Sequence, residues 1–270
     1  MKAEDLRRLY KILEIRAQQY ASQEIGLLRQ MPDQTDEQFK QSKENATSLL
    51  KLVVIVNASS GDWVSSSSDE ALSDASFPDS VTTIIYDSGF LLRGQLKLEP
   101  QNSFKVVIDF SRTQILDLTN LWISPSSNAS SVYITGIDDA WVKAVHDDLS
   151  NFFDERATLR GCLFSRYTYD VLVWTLGIPT STALVYHVDK WTKLAVNSPG
   201  AVRIPVYVAL FVLGLAIFRF LFNYAKWAFP KIEPPNARGW PVAHRSLLAI
   251  IWASVVAILV ESIAKILHIV

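Results

Sequence analysis

Apolar residues are densest in the second half of the chain, where residues 204–224 form a hydrophobic run with a single charge, that of Arg219. As an α-helix, a run of about 20 residues is roughly 30 Å long, which matches the hydrocarbon core of a bilayer. A helix in a soluble core normally turns one polar face to water, and this run has no such face. The pattern predicts a membrane span.

A second apolar run lies close to the C-terminus. Residues 247–260 contain no charge, and the run reaches spanning length when it continues through Glu261 and Lys265. Residues 201–270 are therefore predicted to form a transmembrane hairpin, with its second span at about 246–268.

Four charged residues lie within or at the ends of these two spans: Arg203, Arg219, Glu261 and Lys265. Charges at membrane depth are costly and usually functional, which favours an intramembrane ion pair or an ion path. Alternatively the charges lie at the interface and long side chains reach the headgroups. The interfacial interpretation is the simpler of the two.

Residues 167–200 are ambiguous. Val171–Tyr186 contains no charge, but Gly177 and Pro179 interrupt the run. If the N-terminal part is cytosolic and the chain has two spans, four flanking basic residues lie on each side of the membrane. If it has three spans, seven lie on the cytosolic side and four on the outer side. The positive-inside rule favours the third span. The alternative is a bent helical pair that contacts the bilayer without crossing it.

The N-terminal residues 1–50 are predicted to form a helical hairpin, with helices at about 3–30 and 35–50. The first helix has an apolar seam with heptad spacing: Leu6, Leu13, Tyr20 and Leu27. Such a seam is typical of a helix that pairs with a second copy or another protein. It also fits a helix that packs on the chain's own domain, and the sequence leaves both interpretations open.

Residues 51–166 have the short periods of a β-structure. Apolar or alternating runs predict strands at residues 52–58, 81–88, 90–98, 104–110 and 131–136. A helix is predicted to begin after Asp138, whose side chain can cap it. The predicted fold class is α+β: an N-terminal helical hairpin and a small, mainly antiparallel sheet with packed helices, followed by C-terminal transmembrane helices.

Composition narrows the functional classes. The 270 residues include 26 basic and 27 acidic side chains, and this balance lacks the basic excess of a nucleic-acid-binding protein. The charged N-terminus does not resemble a signal peptide, so we expect the soluble domain in the cytoplasm. Cys162 is the only cysteine, which excludes an intrachain disulfide.

Catalytic motifs are absent from the sequence. It contains no HExxH, GxGxxG, GxxxxGK[ST] or GxSxG motif. Asp138, Asp139 and His146 lie close together, but they fall on the polar side of the predicted helix. We therefore predict no catalytic residue, no metal site and no cofactor.

These patterns predict an integral membrane protein with a cytoplasmic α+β domain, a non-enzymatic binding or scaffolding module. Its partners would be the bilayer and a second copy or another protein bound through the N-terminal helix. The alternative is an oligomerising membrane effector or a small channel gated by the soluble domain. An enzyme of unknown class is a third hypothesis.

Overall fold

A computed structural model describes most of the chain: residues 1, 3–73, 77–78, 80–111, 115, 128–193, 199–233 and 241–266. The chain divides into two compact units. The first contains Met1–Ser111 and Ala129–Thr158, and the second contains Leu159–Lys231 and the C-terminal helix.

A five-stranded sheet organises the first unit. Its strands are β1 (Val53–Ala58), β2 (Trp63–Ser66), β3 (Val81–Asp87), β4 (Ser103–Asp109) and β5 (Ser131–Thr135). They lie in the order β2-β1-β3-β4-β5, and every neighbouring pair is antiparallel. The predicted α+β class and the antiparallel sheet are confirmed.

The α-helices of this unit are α1 (Ala3–Leu27), α2 (Asp36–Leu49), α3 (Phe90–Leu96) and α4 (Asp139–Asp154). Helix α4 begins where the sequence predicted, because the Asp138 side chain accepts hydrogen bonds from the backbone N–H groups of Ala140 and Trp141. A capping box formed by Thr35 and Gln38 begins α2. None of the residues of α2 is buried, so this helix lies on the surface of the unit.

Helices α1 and α4 cover one face of the sheet. The Tyr86 hydroxyl on β3 donates to the backbone oxygen of Leu6 on α1 at 3.1 Å. The Trp141 ring on α4 lies 6.0 Å from the Tyr20 ring and 6.2 Å from the Phe104 ring. These contacts join helix, helix and strand into one continuous hydrophobic core.

The heptad seam of α1 packs within this core. Leu6, Leu13 and Tyr20 are buried in the chain's own core, whereas Leu27 is 73% exposed. Of the two open interpretations, packing on the chain's own domain is the one observed for the first three residues. These three side chains pack inside the chain's own core in this structure, and a partner role for the seam stays a prediction.

The strand predicted at residues 90–98 is wrong, because α3 occupies this position. Leu92 and Leu96 are two strand periods apart but also one helical turn apart, so their spacing fits both structures. Arg93 then forms an ion pair with Asp87 on β3, which anchors the helix. The short strand β2 was not predicted; it pairs with β1 through a turn in which Gly61 has a φ of 91°.

The second unit is helical in its described residues. A 3₁₀ segment (Leu159–Phe164) leads into α5 (Arg166–Leu172), a π turn (Val173–Gly177) and α6 (Ile178–Thr192). Helices α7 (Gly200–Ala228) and α8 (Pro241–Ile266) follow. Two helical stretches, Tyr167–Thr192 and Val202–Ala228, are long and apolar enough to cross a membrane.

The ambiguous segment 167–200 thus contains a long helix, with the π turn directly before Pro179. A proline ring collides with the carbonyl oxygen four residues earlier in a regular α-helix, and a locally wider turn relieves that collision. Thr175 and Thr180 donate to the carbonyl oxygens of Val171 and Leu176. These two hydroxyl groups are therefore satisfied within the helix.

Candidate functional site

The inner basic face of α7, formed by Arg219, Asn223 and Lys226, is the main polar feature of the second unit. The side chains are spaced by four and three residues, so they lie on one face of the helix. Arg219 is 1% exposed, Lys226 is 2% exposed and Asn223 is fully buried. Long cationic side chains are almost never buried this completely in proteins without a specific reason.

Arg219 contacts an aromatic ring of the neighbouring helix. Its Nη1 atom donates to the hydroxyl oxygen of Tyr169 on α5 at 3.4 Å, and its guanidinium carbon lies 5.5 Å from the centre of that ring. The Tyr169 ring also packs against Phe222, with 5.1 Å between ring centres. The aromatic packing between α5 and α7 therefore positions the buried guanidinium.

Lys226 lies between two further rings. Its Nζ atom is 5.2 Å from the ring centre of Phe164 and 5.2 Å from that of Phe222. Among the described residues, no carboxylate lies within ion-pair distance of this ammonium group. Cation–π attraction and the negative end of the α7 dipole stabilise the charge instead, since Lys226 is in the last turn of the helix.

A second cluster joins the end of α7 to the beginning of α8. The hydroxyl of Tyr224 and Nδ1 of His244 are 2.7 Å apart and share a hydrogen bond. The His244 ring also meets the Trp227 ring edge to face at 5.3 Å. Arg245 donates through Nε to the backbone oxygen of Ala228 at 3.3 Å, and thereby caps the C-terminus of α7.

The distance between α6 and α7 is fixed by a glycine. A Cβ atom added to Gly214 would lie 2.7 Å from the backbone Cα of Ser181, so only glycine allows this approach. Ser181 is fully buried, and its hydroxyl donates to the carbonyl oxygen of Gly177 at 2.7 Å. This contact brings the two helices close enough for the rings around Arg219 to meet.

Formal charge is divided unequally between the two units. The first contains 14 basic and 23 acidic residues, a balance of −9, and the second contains 12 basic and 4 acidic residues, a balance of +8. The near-zero charge of the whole chain conceals this division. The excess positive charge resides in the unit with the apolar helices.

The sequence-predicted charges lie in separate places. Arg219 is buried on the inner face, whereas Arg203 is half-buried and lies sixteen residues earlier on α7, about 24 Å along the axis. Glu261 is exposed on α8, and the side chain of Lys265 lies outside the described residues. The Arg219 side chain faces the neighbouring helices, and its depth relative to a bilayer stays a prediction.

The sequence analysis did not single out Lys226 or Asn223 as site residues. The spacing of Arg219, Asn223 and Lys226 was visible in the sequence and indicates a shared helix face. The spacing could not show whether that face turns inward, because every other face of α7 is equally apolar.

The first unit offers one polar cluster beside an open recess of about 730 Å³. Asp87 accepts hydrogen bonds from the N–H of Gly89 and from Arg93, and Arg93 also donates to Glu99 at 3.2 Å. Burial acts to lower the pKa of Arg93, but its bonds to the two carboxylates outweigh burial and raise that pKa. The cluster joins α3 to β3, and within the described residues no three His, Cys, Asp or Glu side chains could hold a metal ion.

Comparisons of the chain with protein-family models, with curated proteins and with solved structures yield no match. The function is therefore argued from the geometry of the two units.

Proposed function

We propose that the protein is an integral membrane protein, whose C-terminal helices anchor an α+β binding or scaffolding domain at the cytoplasmic face. The observation that supports this proposal is the exposed surface of α7. Its outward large apolar side chains are Val202, Ile204, Val208, Val212, Leu213, Ile217 and Phe220. Only 22% of the apolar window of this helix is buried by the chain itself.

Water is an unfavourable surrounding for such a surface. Removing a large aliphatic side chain from water is worth about 1.5–3 kcal/mol, and contiguous apolar patches on soluble monomers are small. Trp174 and Val171 on α5 and the π turn are also mainly exposed, as is Ile250 on α8. Lipid around all three helices accounts for these exposures together.

The direction of insertion follows from the flanking charges. With three crossings, seven basic residues flank the helices on the side where α5 begins and four flank them on the other side. The positive-inside rule then assigns the basic side, and with it the first unit, to the cytoplasm.

The role of binding module is supported by the surface of the first unit. Leu27, Leu28 and Met31 form an exposed apolar tip between α1 and α2. Among the described strands, β5 lies at one edge of the sheet with Tyr133 62% exposed, and a sheet edge can accept a further strand. A protein partner or a second copy would contact such surfaces.

The membrane placement is tested with introduced cysteines in a Cys162→Ser background. Thr192→Cys and Lys231→Cys lie beyond opposite ends of α7, and both native side chains are exposed. In intact cells, a membrane-impermeant maleimide is expected to label Thr192→Cys, and to label Lys231→Cys only after permeabilisation. Equal labelling of both sites in intact cells would contradict a crossing by α7, and the reverse pattern would contradict the orientation.

A second candidate function is an oligomerising membrane effector or channel. The observation that favours it is the burial of two cations, Arg219 and Lys226, inside an apolar helical unit, since charges at membrane depth are usually functional. Glu261 is exposed on α8, where a second copy could meet it. Conductance in reconstituted bilayers that changes with Glu261→Gln would support this candidate, and silent bilayers at high protein load would argue against it.

A further inference from the structure

Helix α5 begins, α7 ends and α8 begins at the same end of the second unit. We name this the basic end. We propose that the basic end binds the phosphate group of an anionic phospholipid. This inference rests on the proposed membrane placement and adds a ligand class to it.

The sequence around the basic end is almost free of acidic residues. Residues 159–175, 215–233 and 238–252 contain seven arginines and lysines, against two acidic residues, Asp170 and Glu233. The negative surface of a cytoplasmic leaflet attracts such a segment with about 1 kcal/mol for each basic residue near the surface. The charge balance therefore favours an anionic ligand over a zwitterionic one.

The aromatic residues place these charges at headgroup depth. Tyr224 and Trp227 stack with 5.7 Å between ring centres, and both contact His244. Tyrosine and tryptophan concentrate at the membrane–water interface, where their rings meet both lipid and water. The neighbouring cations, Lys226 and Arg245, then lie at the level of lipid phosphates.

The cations of the basic end form two layers. Arg245 is half-buried and Lys231 is exposed, so these two groups can meet a ligand from outside. Lys226 is buried, and along α7 it is two residues from the carbonyl group that Arg245 caps. Within the part of the chain that the structure describes, aromatic rings and not a carboxylate surround Lys226, so its charge adds to the positive potential of the outer layer.

Arg245 has the geometry that phosphate recognition requires. Its Nε atom is held by the Ala228 carbonyl oxygen, and its guanidinium carbon lies 5.2 Å from the centre of the Phe229 ring. A guanidinium ordered in this way loses little side-chain entropy when it binds, and its planar fork matches two oxygens of a phosphate. The structure thus offers an ordered guanidinium at the same end of α7 that holds the buried Lys226.

The test uses the full chain in nonionic detergent, titrated with fluorescently labelled phosphatidylglycerol or with phosphatidylcholine carrying the same label. We expect tighter binding of phosphatidylglycerol, and a loss of about fivefold in its affinity for each of Lys226→Gln and Arg245→Gln. Lys226→Arg keeps the charge and should keep the affinity. Arg203→Gln removes one charge from the far end of α7 and is the matched control.

Each outcome decides the inference. Equal affinity for the two lipids, or an equal loss in Arg203→Gln, would overturn it, because the binding would then lack either an anionic preference or a defined site. A loss in Lys226→Gln that Lys226→Arg shares would mean that packing and not charge is responsible. Displacement of the lipid by millimolar inorganic phosphate would assign the site to a soluble phosphate and overturn the lipid assignment.

The same preparation separates this inference from the proposed function. If the chain enters phosphatidylcholine nanodiscs but shows no preference for the anionic lipid, the inference fails and the membrane placement stands. If it enters no nanodisc and stays soluble without detergent, the membrane placement itself fails.

Discussion

Two leucines of the α1 seam offer a direct test of the packing of the first unit. Leu13 and Leu27 are the same residue type in the same helix and belong to the same heptad series, yet Leu13 is 1% exposed and Leu27 is 73% exposed. Replacing each by alanine removes the same atoms. The difference between the two variants therefore isolates the effect of burial.

For Leu13→Ala, the loss combines the transfer of the removed carbon atoms with the cavity that remains. Buried Leu→Ala substitutions cost about 2.7–5.0 kcal/mol, so we expect a loss of about 3 kcal/mol in the free energy of unfolding of the first unit. For Leu27→Ala, most of the side chain is already in water, and the expected change is within about 0.5 kcal/mol. A loss of about 3 kcal/mol raises the local opening constant by roughly a hundredfold.

The assay is amide hydrogen exchange of the full chain in detergent, followed in peptides from β1 and β3. Leu13→Ala should accelerate exchange of the most protected amides by about two orders of magnitude, and Leu27→Ala should leave it unchanged. Similar acceleration in both variants would refute the packing of α1 on the sheet. The same result would favour the interpretation of the whole seam as a surface that binds a partner.

Three further predictions concern other contacts. Arg156→Ala should lower the stability of the first unit by about 1 kcal/mol in urea-dependent exchange, because it removes a 2.9 Å ion pair with Asp5. Burial raises the pKa of the Tyr86 phenol. The folded unit therefore holds that proton more tightly than the unfolded chain, and its stability should be complete below pH of about 10 and fall as the pH rises further. In Tyr86→Phe the fall above pH of about 10 should be smaller, which exchange at a series of pH values would detect. Gly214→Ala should separate α6 from α7 and lower the thermal midpoint of the full chain in detergent, since its Cβ would meet the α6 backbone at 2.7 Å. Gly161→Ala, with nothing within 4 Å of the added atom, is the control, and equal midpoints would contradict the close approach.

The elements predicted best from the sequence are those whose apolar residues follow either the helical or the strand period, but not both. Helix α4 was predicted with its cap because Val145, Leu149 and Phe152 follow helical spacing directly after Asp138, and all three are buried. Helix α3 was missed because leucines four residues apart satisfy both periods. Only the long-range ion pair between Arg93 and Asp87 distinguishes the two, and a single sequence does not reveal such a contact.

The candidate site was predicted only in part, for a related reason. When a helix is apolar on all sides, the pattern of polar and apolar residues does not show which side faces the neighbouring helices. The sequence showed that the charge of Arg219 is costly within a span. The orientation of its side chain depends on the packing of Tyr169 on α5 against Phe222 on α7. The close packing at Gly214 that brings them together is equally invisible in a pattern of polar and apolar letters.

The net charge of the whole chain also hides a feature that only the division into two units reveals. A whole-chain balance of −1 conceals a first unit at −9 and a second at +8. Charge of one sign keeps a domain soluble and selects partners of the opposite sign, and positive charge beside apolar helices selects an anionic leaflet. If both units had been neutral, neither the orientation nor the lipid preference would follow from their charges. The division of charge therefore connects three proposals in one physical argument: the membrane anchoring by the apolar helices, their direction of insertion and the ligand class of the basic end.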